Sequence, residues 1–139
     1  MPRFNKRSLS RLTTCDERLI RLFGEVVKRF DCSVTAGHRD ERTQNKLYAQ
    51  GRTEPGPVVT NAPWPRSKHN TSPSIAIDVV PCPLDWNDLE RFYFFNGYVL
   101  ATAHQLGIPI RLGADWDGDT DLHDQRLNDL PHFELLEGV

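Results

Sequence analysis

Ile75-Ala76-Ile77-Asp78-Val79-Val80 is an apolar run with a carboxylate at its centre. Its composition and the stop at Pro81 and Pro83 predict a strand. A carboxylate buried unpaired among Ile77, Val79 and Val80 would cost several kcal/mol, so Asp78 needs a partner or a metal. Downstream, Asp85 and Asp88 open a long helix that runs to about Leu106, with Gly107 as its natural terminator. Ile108 to Leu112 reads as a second strand, residues 113–131 as a polar, Asp-rich loop, and Phe133 to Leu136 as a last short strand. Upstream, residues 51–74 hold Pro55, Pro57, Pro63, Pro65 and Pro73 with little periodicity, a long loop of the kind that is functional or disordered. Before it come a helix from Glu41 to Gln50 that Gly51 ends, and a short β-like run from Cys32 to Thr35. The first helix is expected where Leu19, Ile20, Phe23, Val26, Val27 and Phe30 recur at helical period, with Thr14 and Glu17 at capping-box spacing. Helices and short strands in this order predict an α+β fold with a small, mainly antiparallel sheet packed with helices.

The 139 residues are 38% hydrophobic, which suits one domain over residues 1–139 that buries roughly 65–70% of its unfolded surface. Lys and Arg total 17 against 19 Asp and Glu, a formal charge of −2. No global positive field exists to hold a nucleic-acid backbone, so nucleic acid is excluded as a partner. Arg3, Lys6, Arg7 and Arg11 make residues 1–11 a basic arm, expected to be flexible. No apolar run of signal-peptide length follows it, and Arg91 and Asn96 interrupt the most apolar segment, so neither export by a leader nor membrane insertion is expected. Cys15, Cys32 and Cys82 are odd in number and widely spaced, which predicts buried free thiols.

His69 stands at the end of the Pro-rich loop, nine residues before Asp78. His132 follows Pro131, with Asp129 three residues upstream. Two imidazoles and a carboxylate form an N/O set that can hold Zn²⁺ and leave a fourth position open for water. Asp129 is not needed as a ligand, and its spacing suits a general base beside that water. The competing reading is a capping Asp78 and two partly exposed histidines. His104, inside the long helix, reads as a surface or packing residue.

Ser67-Lys68-His69, Ala76-Ile77-Asp78 and Asp129-Leu130-Pro131-His132 together resemble the motifs of the D-Ala-D-Ala carboxypeptidase/VanY-like zinc peptidases, which include phage L-alanyl-D-glutamate endolysins. The similarity runs from Phe30 to the C-terminus, and Asp85 to Glu90 and Arg111 to Trp116 look especially like the phage enzymes. The resemblance implies a LAS-type zinc peptidase fold, with His69, Asp78 and His132 as zinc ligands and Asp129 as catalytic base. It also implies that Arg39, in Gly37-His38-Arg39-Asp40, binds substrate and stabilises an oxyanion, as a permanently charged fork of donors can. The alternative for Arg39 is a surface pair with Asp40. The activity implied is hydrolysis of peptidoglycan stem peptides, first as an L-alanyl-D-glutamate endopeptidase and otherwise as a D-Ala-D-Ala carboxypeptidase or dipeptidase. A non-catalytic wall-binding module is the reading from another class. The resemblance implies a phage or prophage lysin made in the host bacterial cytoplasm that reaches the wall after release through a holin, and a monomer is expected.

Asp115, Asp117, Asp119 and Asp121 alternate with Trp116, Gly118 and Thr120. Oxygen ligands at alternate positions around a glycine turn suit Ca²⁺, although no full EF-hand pattern is present. A solvated acidic loop running on through His123 and Asp124 is the other reading.

Overall fold

A computed structural model of the protein describes residues 2–123 and 128–136, and Asp124 lies outside the described residues. The apolar run forms strand β2 (Ala76–Pro81), buried along its whole length. Numbering elements in chain order, β2 lies between β1 (Cys32–Ala36) and β4 (His132–Leu135), and β3 (Ile110–Leu112) pairs with the far side of β4. The three pairings between these strands are antiparallel. The register sets Asp78 opposite His132, Ile77 opposite Phe133 and Ala76 opposite Glu134. Because side chains alternate along a strand and direct partners share a face, Asp78, His132 and Glu134 point to one side and Ile77, Phe133 and Leu135 to the other.

The apolar side is covered by two helices, α2 (Glu17–Val26) and α4 (Leu89–Leu106). Leu19, Leu22, Phe23 and Val26 of α2 and Phe92, Phe95, Val99 and Ala103 of α4 are buried. Phe133 meets Phe23 and Phe95 edge-on, at centroid distances of 5.3 and 6.0 Å. Asp88 caps α4 by accepting from the Arg91 N–H, and Gly107 closes it in the left-handed conformation at φ 72°. Asn96, which breaks the apolar pattern, is buried and donates to the carbonyls of Phe92 and Leu130 at 2.8 and 3.0 Å. It pins the approach to β4 onto α4.

Several boundaries differ from expectation. Asp16, not Thr14, caps α2, since its side chain accepts from the Arg18 N–H, while Thr14 Oγ1 donates to the Arg11 carbonyl and accepts from His38 N–H. α2 also ends at Val26, four residues before Phe30, the last residue of the apolar period. His132 lies within the last strand and not before it.

The largest correction concerns the basic arm, of which Lys6–Leu12 is a helix, α1. Lys6 and Arg7 face solvent while Ser8 and Leu12, one turn apart, are buried. Ser8 Oγ accepts from the Val34 N–H at 3.0 Å and Arg11 Nη1 donates to the Val34 carbonyl at 3.0 Å. β1 is an edge strand, and α1 satisfies backbone groups that would otherwise invite another strand.

The helix α3 (Glu41–Ala49) is capped by Asp40, which accepts from the Thr43 N–H. The long loop that follows contains a single 3₁₀ turn, Lys68–Asn70, among the described residues. It is tied to α3 by Gln44, whose Nε2 donates to the Ala62 carbonyl at 2.7 Å. The three cysteines are free; Cys15 and Cys32 are buried, but Cys82 is only half-buried. No helix among the described residues is long and apolar enough to cross a membrane.

Candidate metal centre and active site

His69 reaches the polar face of the sheet from the 3₁₀ turn. Ser67 opens that turn with a reciprocal cap: its hydroxyl accepts from the His69 N–H, and Asn70 Oδ1 accepts from the Ser67 N–H. The His69 ring is 1% exposed. Its Nδ1 lies 2.7 Å from the Gly37 carbonyl. A carbonyl can only accept, so Nδ1 carries the proton and Nε2 presents its lone pair. Gly37 has to be glycine for a separate reason, since a Cβ there would run into the Arg11 carbonyl and Thr14 Oγ1.

His132 is oriented in the opposite sense. Its Nε2 lies 2.8 Å from Glu134 Oε1, which leaves Nδ1 turned inward. Asp78 Oδ1 is 3.2 Å from His69 Nε2 and 3.3 Å from His132 Nδ1. One donor atom from each of the three residues lies within 4.8 Å of the others. The fit to a metal rests on this arrangement: both imidazoles have one nitrogen held as a donor by a protein oxygen, and their other nitrogens converge on a carboxylate oxygen. Orientation of a ligating imidazole by a carbonyl or carboxylate behind it is the general habit of such sites. Two nitrogens and an oxygen suit a borderline divalent ion. The reading of Asp78 as a cap with two partly exposed histidines does not hold, because all three side chains are buried together.

The electrostatics favour positive charge at this point. Burial alone would raise the Asp78 carboxyl, but His69 and His132 outweigh it and hold it well below its usual range. Burial alone would lower His132, yet its bonds to Asp78 and Glu134 push it up to about 9. Asp129 sits at the rim, with Oδ2 3.9 Å from His132 Nδ1 and its side chain 28% exposed. Burial, and then the charge of Asp78, push its carboxyl up to about 6. Gly113 lets this corner close, since a Cβ there would strike the Asp129 carbonyl.

Arg39 does not pair with Asp40. Its Nη2 donates to Asp78 Oδ2 at 2.7 Å, so the guanidinium holds the oxygen of Asp78 that faces away from the imidazoles. The Arg39 backbone N–H donates to the His69 carbonyl at 2.8 Å, binding the loop after β1 to the 3₁₀ turn. Arg39 and Asp129 line both of two adjoining cavities. The larger, of about 580 Å³, includes Lys68, Arg111, Trp116 and Glu134; the smaller, of about 380 Å³, includes Leu47, Val58, Trp86 and Leu130.

Glu134 was not singled out from sequence. It is 4% exposed, and besides His132 it meets Lys68 Nζ at 2.8 Å and Arg111 Nη2 at 2.7 Å. Burial opposes its charge, but His132, Lys68 and Arg111 hold it down to about 2. The available signal was the one that exposed Asp78: a carboxylate between two apolar residues, Phe133 and Leu135, two positions after a candidate ligand and so on its face of a strand.

In the acidic loop the carboxylates of Asp115, Asp117 and Asp119 come within 4.8 Å of one another, and Asp121 is not part of that group. Asp121 Oδ1 instead accepts from the His123 N–H at 2.9 Å. Asp115 is buried, its Oδ2 accepts from the Thr120 N–H at 2.9 Å, and its Oδ1 has no hydrogen-bond partner. Burial, and then Asp117 and Asp119, raise the Asp115 carboxyl. His38, His104 and His123 are all exposed.

Comparison with known proteins gives one answer. The chain is 29% identical over 131 residues to the L-alanyl-D-glutamate peptidase of Escherichia phage T5, covering 88% of each protein. It is 34% identical over 112 residues to the peptidoglycan L-alanyl-D-glutamate endopeptidase CwlK of Bacillus subtilis (strain 168), across 78% of this chain and 63% of CwlK. The crystal structure of Serratia marcescens L-Ala D-Glu endopeptidase ChiX superposes with a TM-score of 0.72 at 23% identity, covering 97% of this chain and 91% of ChiX, which shows the same fold. The family model described as phage L-alanyl-D-glutamate peptidase matches residues 1–136, from before α1 to beyond β4, and the chain belongs to that family.

Proposed function

We propose that this protein is a zinc-dependent endopeptidase that hydrolyses the L-alanyl-D-glutamate bond of peptidoglycan stem peptides. The observation that carries the reading is the convergence of His69, Asp78 and His132 on one point beside Asp129, at the meeting of two cavities, in a chain of this family. His69 Nε2, Asp78 Oδ1 and His132 Nδ1 would hold the ion. When bound, zinc supplies Lewis acidity to the peptide carbonyl and to water. Asp129 takes the proton of the attacking water as the C–O bond forms, and returns it to the leaving nitrogen as the C–N bond breaks. Its raised affinity for a proton suits both halves of that exchange. Arg39, anchored through Nη2 to Asp78 and with Nη1 3.5 Å from Gln44 Oε1, would stabilise with its further N–H donors a carbonyl oxygen that is gaining charge. No covalent enzyme intermediate is needed.

Asp115, Asp117 and Asp119 are the candidate ligands of a Ca²⁺ ion, a reading supported by their gathered carboxylates and by the unpartnered Asp115 Oδ1. The protein acts as a monomer on the wall of the host bacterium, reaching it from the cytoplasm through a holin. Digestion of purified peptidoglycan, with mass spectrometry of the new termini, tests the activity. Fragments ending in L-alanine and beginning with D-glutamate are expected, and release of D-alanine instead would assign a carboxypeptidase.

A further inference from the structure

The lining of the larger cavity includes Arg66, Lys68 and Arg111. Behind Lys68 and Arg111 stands Glu134, which meets both through Oε2 while Oε1 accepts from His132. One carboxylate thus faces two cations, and it is 4% exposed, so a ligand cannot share it. The cations are more open, with side chains 31% and 35% exposed. An ammonium has three N–H donors and a guanidinium five, more than Glu134 uses, so Lys68 Nζ and the outer nitrogens of Arg111 keep donors for a ligand. The result is a fixed surplus of positive charge one side chain away from His132. Asp117 and Asp129, the other carboxylates of this cavity, repel an anion, which leaves the Lys68 and Arg111 corner to receive one. The smaller cavity has Arg39 as its one cation among the described residues, and Arg39 is already paired with Asp78.

We propose that Lys68 and Arg111 bind the α-carboxylate of the D-glutamate residue that leaves as the amine, and so set specificity for an acidic residue after the scissile bond. The inference rests on the L-alanyl-D-glutamate reading above. In a stem peptide D-glutamate continues the chain through its γ-carboxyl, so its α-carboxylate is free, three bonds from the scissile carbonyl carbon. Uncharged L-alanine then lies toward the smaller, more apolar cavity, and the carboxylate toward the larger one. Arg111 is suited to the task because its planar fork engages a carboxylate with two parallel bonds.

The experiment compares two synthetic stem peptides that differ only at this group, one with D-glutamate and one with its α-amide, D-isoglutamine. Wild-type protein loaded with zinc is expected to favour the acid by about tenfold or more in kcat/KM, the scale of a lost charge-assisted hydrogen bond. Arg111→Gln and Lys68→Gln should each bring the ratio toward one, and Arg111→Lys should keep part of it. Damage to folding or to the metal centre lowers both rates and leaves the ratio unchanged, so the ratio isolates recognition. Should Arg111→Gln not fold, the wild-type ratio and Lys68→Gln decide the matter. Equal rates on the two peptides in wild type, or an unchanged ratio in both Gln variants, would overturn the inference and leave the endopeptidase reading standing. Cleavage of neither peptide would overturn both.

Discussion

Asp78 and Asp129 are carboxylates beside the same imidazole, yet they occupy different electrostatic positions. Asp78 is bonded by Arg39 and wedged between two histidines, which favour its anion, whereas Asp129 faces the charge of Asp78 from the rim and holds a proton more readily. An Asn is nearly the size of Asp but cannot take a proton at neutral pH. Asp129→Asn is therefore expected to keep its metal and fold while turnover drops roughly 100-fold or more. Asp78→Asn should instead lose metal, because a neutral oxygen replaces an anionic one. Metal analysis beside kinetics on both variants separates the roles, and an Asp129→Asn protein that sheds its metal as readily as Asp78→Asn would reverse them. Glu134 touches neither the donor point nor Asp78, but it fixes which nitrogen of His132 points inward. Glu134→Ala should weaken metal binding by about 10–100-fold, measured by chelator competition. Unchanged affinity would mean that β4 alone orients the ring.

At the scale of elements, α1 and the acidic loop are where local sequence was least informative. The basic residues of α1 suggest a solvated arm, but one hydroxyl, Ser8 Oγ, accepts from the buried edge of β1. Ser8→Ala would leave the Val34 N–H without that acceptor, at an expected cost of about 1–3 kcal/mol in denaturant unfolding. A change within a few tenths of a kcal/mol would show that the helix protects the edge by packing alone. In the acidic loop, Asx turns within the chain already use several carboxylate oxygens, for example Asp119 Oδ1 accepting from the Asp121 N–H at 2.8 Å. Geometry alone therefore permits an ion without demanding one. If Ca²⁺ binds, millimolar Ca²⁺ should raise the melting temperature or activity of wild type and leave the double variant Asp117→Ala, Asp119→Ala unchanged. The same response in both proteins would return the loop to a solvated role.

Across the whole molecule, the donor residues come from a 3₁₀ turn, a central strand and a neighbouring strand, so a bound ion joins segments from both halves of the chain. An ion that binds only the folded state stabilises it by mass action. Removal of metal by chelation should lower the melting temperature by roughly 10 °C, given about 2–3 kcal/mol of binding linkage and the usual size scaling. His69→Ala should melt near the chelated wild type and respond little to added zinc. An equal rise on adding zinc in that variant would place the ion elsewhere.

Much of this architecture was legible in the chain itself. The long helix after Asp88 and its stop at Gly107 follow from cap chemistry, which is local and needs no tertiary partner. The anomaly of Asp78 was legible because the cost of an unpaired carboxylate in an apolar strand can be read without coordinates, and the motif segments around His69, Asp78 and Asp129 to His132 carried the resemblance that pointed to the three residues the fold gathers. Other features depend on groups far apart in sequence. The register that sets Asp78 against His132, the pairing of Lys68 with Glu134, the pairing of Arg39 with Asp78 rather than Asp40, and the burial of α1 on β1 each span a long separation. Sequence periodicity reports which face of an element is apolar. Only the packed sheet decides which polar groups then share the opposite face, since a hydrogen-bond partner is set by distance in space and not by distance along the chain.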